Sequence, residues 1–232
     1  MVKITGKDHM NSEEREEITD ELLKAAGKLA GRVADGTVRR ELIPDAGICL
    51  IHAAEHARSL ADIAAVSVMP DGKMSAGGAS WDVSADISAE ISPDLLFGAA
   101  GVGNPDRSVT LTAMRFDPDI RSAAIIRYSK PIVDKAREML FEVREAVRGN
   151  AGGTGPLMDW KTAFCCKKDD VPDIIFVADP TADKERAEKR AENVNTDKTG
   201  ADCAPTLILL GMDPSALVNN ILMLGERINN RN

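Results

Sequence analysis

Three arginines surround one short apolar run in RFDPDIRSAAIIRYS, residues 115–129: Arg115 and Arg121 precede AAII, and Arg127 ends it. A guanidinium offers a planar fork of donors and a permanent charge, which suits a phosphate or pyrophosphate. At the end of a buried strand it is also where an α/β sheet presents groups to a ligand. Arg127 is therefore a candidate anion holder, against the alternative of an ion pair with a nearby carboxylate such as Asp117 or Asp134. Arg58-Ser59 follows the apolar run GICLIHA in the same way, with Ser59 read as the cap of a helix whose first amides favour an anion.

Two glycine-rich loops offer backbone donors. FGAAGVGN, with Gly98 at its start, contains G-x-x-G-x-G but lacks the Lys-Ser/Thr of a phosphate-binding P-loop, and GGTGP carries Thr154. Each reads either as an anion-contacting loop or as a plain connector. With His9, His52 and His56 as the histidines and no H-E-x-x-H, no metal site is indicated; His52 and His56 read as polar strand-end or loop residues. Cys49, Cys165, Cys166 and Cys203 form no C-x-x-C pair, and neighbouring Cys165 and Cys166 are poorly spaced for an ordinary disulfide. They read as reduced thiols of a cytoplasmic protein.

Composition narrows the partners. A net charge of −8 disfavours non-specific attraction to nucleic acid or an anionic membrane, and 3% aromatic residues leave few platforms for stacking bases. No apolar run reaches the length of a membrane span, and the first residues lack a signal-peptide core. The charged 181–199 stretch mixes both signs and reads as a solvated surface insertion.

The elements that must position these residues follow from periodicity. Asn11 and Glu14 mark a helix start, and Ile18, Leu22, Ala26, Leu29 and Val33 recur at helical spacing through residue 34. Such a stripe packs either on the body of the domain or on a partner chain, which leaves room for a homodimer. Strands are expected at 47–53, within WDVSADISAEIS, at SAAIIRY, at VPDIIFVAD and at PTLILLGMD. Helices are expected at 59–66, over VTLTAMRF, over 131–147 and over 213–228. Alternation of short apolar strands with helices predicts an α/β fold: three layers with a mostly parallel or mixed central sheet flanked by helices, plus the N-terminal helix. Right-handed crossovers in a largely parallel sheet would gather the strand ends on one edge.

LIPDAGICLIHAAEHARSLADIAAV (42–66), FGAAG and VTLTAMRFDPDIRSAAIIRYS (within 97–129), VPDIIFVAD (171–179) and LILLGMDPSALVNNIL (207–222) resemble, in order, the blocks of the ThiN-type thiamine-phosphate synthase domain. The resemblance implies a helical extension over 1–40 and a ThiN-like domain over 41–232. It implies a transferase joining hydroxymethylpyrimidine pyrophosphate to hydroxyethylthiazole phosphate, with a binding module for thiamine phosphate or a precursor as the alternative. Arg127 would then be catalytic, with Arg58, Ser59, Arg121, Gly98 and Thr154 as phosphate-binding residues, and Mg²⁺ would be a compatible helper on the pyrophosphate. Three motif positions depart from the family pattern: the Ser-x-His before the Leu-Thr-Ala-Met helix is replaced within GNPDRS, its Asn by Ile125, and its Lys-Glu by Cys203-Ala204.

Overall fold

The computed structural model describes residues 10–82, 91–97, 107–146, 158–177 and 206–229. The chain opens with α1 (Ser12–Ala34), whose first turn is capped by Asn11 accepting from the Glu14 amide at 2.7 Å. All five stripe residues are buried, with Leu22, Ala26 and Leu29 fully so. A helix this deeply packed belongs to the core of the domain.

Eight described strands form one sheet: β1 (Ile48–Ala53), β2 (Ile63–Val68), β3 (Met74–Ala76), β4 (Ala79–Trp81), β5 (Ser122–Arg127), β6 (Val143–Glu145), β7 (Ile174–Val177) and β8 (Thr206–Gly211). Their order is β4-β3-β2-β1-β5-β8-β7-β6. Of the two sheet types expected, the mixed one is found: β6 and β7 run parallel, and every other pair is antiparallel. The expected gathering of strand ends on one edge therefore does not occur.

Successive residues of a strand face opposite sides of the sheet, and the core divides accordingly. Ile48 and Leu50 of β1 join Ala124, Ile126, Leu207 and Leu209 beneath α1, α4 (Lys130–Glu138) and α6 (Pro214–Asn229). Cys49, Ile51 and Ala53 join Ala123, Ile208 and Leu210 on the other face, covered by α3 (Ser108–Ala113) and α5 (Trp160–Cys165). The short α2 (Pro93–Phe97) packs near β2. These are the three layers expected from the sequence.

Two expected helices are partly strand. Residues 59–66 give only one helical turn, Leu60–Asp62, before β2, which pairs with β1 along its full length from Ile48↔Val68 to Ala53↔Ile63. A short apolar run such as IAAV has no period that separates a helix from a buried strand, and pairing with β1 decides it. The helix expected over 131–147 ends at Glu138. Leu140 then adopts φ 67° and lies exposed, and the chain turns into β6 beside β7. Of WDVSADISAEIS, only Trp81 falls within a described strand, and 83–90 lie outside the described residues. Cys49, Cys165 and Cys166 are buried and unpaired, and Cys203 lies outside the described residues.

Candidate active site

The Ala53 amide donates to the Arg121 carbonyl at 2.9 Å, so the chain leaving β1 and the chain entering β5 share one edge of the sheet. Arg58 lies beyond β1, and Arg121 just before β5. Antiparallel pairing from Cys49↔Ile125 to His52↔Ser122 sends β5 away from this edge, and Arg127 emerges at the other. From Ser122 to Arg127 the strand spans about 17 Å at ~3.3 Å per residue. Arg58 and Arg121 are therefore neighbours of one edge, and Arg127 does not join them.

An open cleft of about 350 Å³ lies at the β1 and α3 corner. One wall is the loop Glu55, His56, Ala57 and Arg58; the other is Leu111, Met114, Arg115 and Pro118 from α3 and the loop after it. Leu111 lies in α3, and Arg115 follows in the turn closed by its amide donating to the Thr112 carbonyl at 3.1 Å. Arg58 and Arg115 are exposed, and among the described residues neither guanidinium has a carboxylate within ion-pair distance. His56 is held only loosely by Glu55, at 3.9 Å. The cleft thus offers two cations outside any described ion pair, an imidazole and the Glu55 carboxylate, beside the apolar side chains of Leu111 and Met114. Sequence reading did not assign Arg115 or His56 to a site: only the packing of α3 against β1 brings Arg115 beside Arg58, while His56, two residues from Arg58 in the same loop, was read as a polar loop residue.

Ser59 does cap a turn, but the anion it serves is internal. Asp62 accepts from the Arg58 amide at 3.0 Å, the Ser59 amide at 2.9 Å and the Ser59 hydroxyl at 2.8 Å. Those donors are committed to fixing the loop that carries Arg58. Gly98 and Thr154 lie outside the described residues.

Arg127 donates from Nε to the Ile43 carbonyl at 3.1 Å and from Nη2 to Asp45 at 2.8 Å. It has the ion pair considered as the alternative role, though with Asp45 in place of Asp117 or Asp134. Among the described residues no cluster of three histidines, cysteines or carboxylates could hold a cation.

On the α1 face of the same edge, His52 is 1% exposed, with Nδ1 2.7 Å from the Ser122 hydroxyl and Nε2 3.1 Å from a Glu21 carboxylate oxygen. Burial lowers its pKa, opposed by Glu21 and reinforced by Arg121. A neutral ring satisfies both contacts if Nε2–H donates to Glu21 and Nδ1 accepts from Ser122. The expectation of a polar strand-end residue thus captured its position but not its burial.

The residues of the second cleft wall, together with Arg121 and Arg127, lie in a segment that matches a family model. Residues 101–186 match the family model described as thiamine-phosphate synthase ThiN. The ThiN match spans α3 through β7. No curated protein matches the chain in sequence. Among solved structures, the C-terminal domain of protein MJ0236 superposes with a TM-score of 0.58 at 19% identity, covering 96% of this chain and 98% of that one. The C-terminal domain of phosphomethylpyrimidine kinase gives a TM-score of 0.54 at 20% identity, covering 90% and 98% respectively. These two establish the shared fold, and the ThiN match supports a role related to thiamine biosynthesis. Among the described residues no helix is long and apolar enough to cross a membrane.

Proposed function

We propose that the chain is a thiamine-phosphate synthase-type transferase, joining hydroxymethylpyrimidine pyrophosphate to hydroxyethylthiazole phosphate and releasing pyrophosphate. The observation that carries this reading is the facing of Arg58 and Arg115, both without carboxylate partners among the described residues, across a cleft built partly from the ThiN-matched segment. Its volume of about 350 Å³ suits a small phosphorylated heterocycle.

In this reaction the bond between the pyrimidine methylene and the pyrophosphate oxygen breaks, and the thiazole nitrogen supplies the electron pair of the new bond. Negative charge grows on the departing oxygen. Arg58 and Arg115 are suited to hold phosphate oxygens and stabilise that charge, while Leu111 and Met114 on the second wall give the rings an apolar surface. His56, which also lines the cleft, is a further donor to a phosphate.

Purified protein supplied with both precursors and Mg²⁺ should form thiamine phosphate above a mock preparation, and Arg58→Ala should lower kcat/KM. Binding of hydroxyethylthiazole phosphate with no product would instead support a binding module for thiamine phosphate or a precursor. That second reading is favoured by Pro105, which falls in the GNPDRS stretch that replaces the family's histidine, and by the contact that draws Arg127 to Asp45, away from the cleft. Absence of both product and binding would defeat both readings.

A further inference from the structure

A second group of cations lies at the sheet edge opposite the cleft. Arg40, from the single helical turn Arg40–Leu42, and Arg127, from the last position of β5, converge on the same two acceptors. The Ile43 carbonyl accepts from Arg40 Nη1 at 2.6 Å and from Arg127 Nε at 3.1 Å. Asp45 Oδ1 accepts from Arg40 Nη2 at 3.0 Å and from Arg127 Nη2 at 2.8 Å.

One carboxylate oxygen therefore serves two guanidinium groups, which leaves the trio with a net positive charge. A guanidinium fork is shaped to engage two oxygens of one anion. Here each fork gives one bond to a shared oxygen and one to a carbonyl, and its remaining N–H groups have no protein acceptor among the described residues. The Asp45 side chain is 88% exposed, more than either arginine at 54% and 39%, so it can swing into solvent and leave both guanidinium groups open. It sits on the short turn closed by the Gly47 amide donating to the Pro44 carbonyl, away from the core.

We propose that Arg40 and Arg127 form an anion site for a phosphate or pyrophosphate group, with the Asp45 carboxylate as an internal occupant that the ligand displaces. A phosphate presents three or more oxygens where Asp45 presents one, so it can engage both forks at once. The ligand class is a phosphomonoester or diphosphate small molecule. The span of β5, about 17 Å, is too long for one phosphate group to reach both this site and the cleft. The two sites are therefore independent, and this one stands whether or not the cleft is a synthase site.

The test is calorimetric titration of inorganic pyrophosphate at low ionic strength into the full chain carrying Arg58→Ala and Arg115→Ala, which removes the cleft cations. Residual binding is expected. Adding Arg40→Gln or Arg127→Gln should weaken it at least about fivefold, whereas Asp45→Asn, a near-isosteric change on an exposed turn, should tighten it about three- to tenfold. Loss of all binding in the starting double variant would overturn the proposal, as would an Asp45→Asn variant that binds no more tightly. Because Asp45→Asn leaves both arginines and the core in place, its outcome does not depend on whether the arginine variants fold.

Discussion

His52 Nδ1 lies 2.7 Å from the Ser122 hydroxyl, so the penultimate residue of β1 and the first residue of β5 are joined by a buried side-chain hydrogen bond as well as by the sheet ladder. The other ring nitrogen reaches Glu21 of α1. One histidine thus ties the helical layer to the edge that carries Arg58 and Arg121.

This tie predicts a pH dependence of stability. Burial lowers the folded-state pKa of His52 below the value of a free histidine, even though Glu21 acts in the opposite direction. The unfolded chain therefore binds a proton more readily than the folded one, and stability falls as pH drops from about 7 through the ordinary histidine range of ~6.5. Above that range both states are neutral at this residue and its contribution is constant. Urea unfolding at pH 7.5 and at pH 5.5 should show a larger loss for the wild-type chain than for His52→Gln. Parallel losses in the two proteins would remove His52 as the cause.

Much of the fold was legible because its cues are local. The Asn11 cap and the stripe from Ile18 to Val33 placed α1 over Ser12–Ala34, and Pro214 opens α6 one residue after the expected start. What was not legible depended on partners distant in sequence. IAAV became β2 because β1 lies beside it, and the C-terminal part of 131–147 became β6 because β7 does. Strand direction had the largest consequence for the site. Nothing in GICLIHA or SAAIIRY encodes whether the two run parallel, yet antiparallel pairing sends Arg127 to the edge opposite Arg58. It also leaves Arg115, which the sequence placed near the strand but gave no role, as the partner of Arg58 across the cleft.

If α1 is part of the core, truncating its buried stripe must destabilise the whole domain. Leu29 is fully buried among the residues that cover β1 and β2. Leu29→Ala should cost about 2–5 kcal/mol in denaturant unfolding, as expected for a large-to-small change at a closed site. A cost below about 1 kcal/mol, with a separate early transition, would show instead that α1 docks loosely on an independent domain.

Gly47 precedes β1 with φ 86°, and a Cβ built there would lie 2.7 Å from the Val68 carbonyl oxygen. That oxygen belongs to the backbone of β2 and cannot move without disturbing the Ile48↔Val68 pair. Gly47→Ala should destabilise the chain by about 1–3 kcal/mol, from the left-handed conformation and the clash together. Gly36, also at positive φ but with open space around it, should tolerate the same substitution better. Equal costs at the two positions would rule out the contact with Val68 as the cause.

The cleft reading makes its own prediction about which arginines matter for hydroxyethylthiazole phosphate. Arg58 and Arg115 line the cleft without competing carboxylates among the described residues, so replacing either with alanine removes a charge-assisted contact and should weaken binding by about 10–100-fold. The double variant should lose more than either single one, since both would hold the same phosphate. Arg127 lies beyond the span of β5 and is engaged by Asp45 and Ile43, so Arg127→Ala should change affinity in the cleft by less than about twofold. Titration of the ligand into the three single variants at one ionic strength checks the pattern. Loss of binding in Arg127→Ala alone, with Arg58→Ala and Arg115→Ala unaffected, would move the phosphorylated substrate to the opposite edge of the sheet.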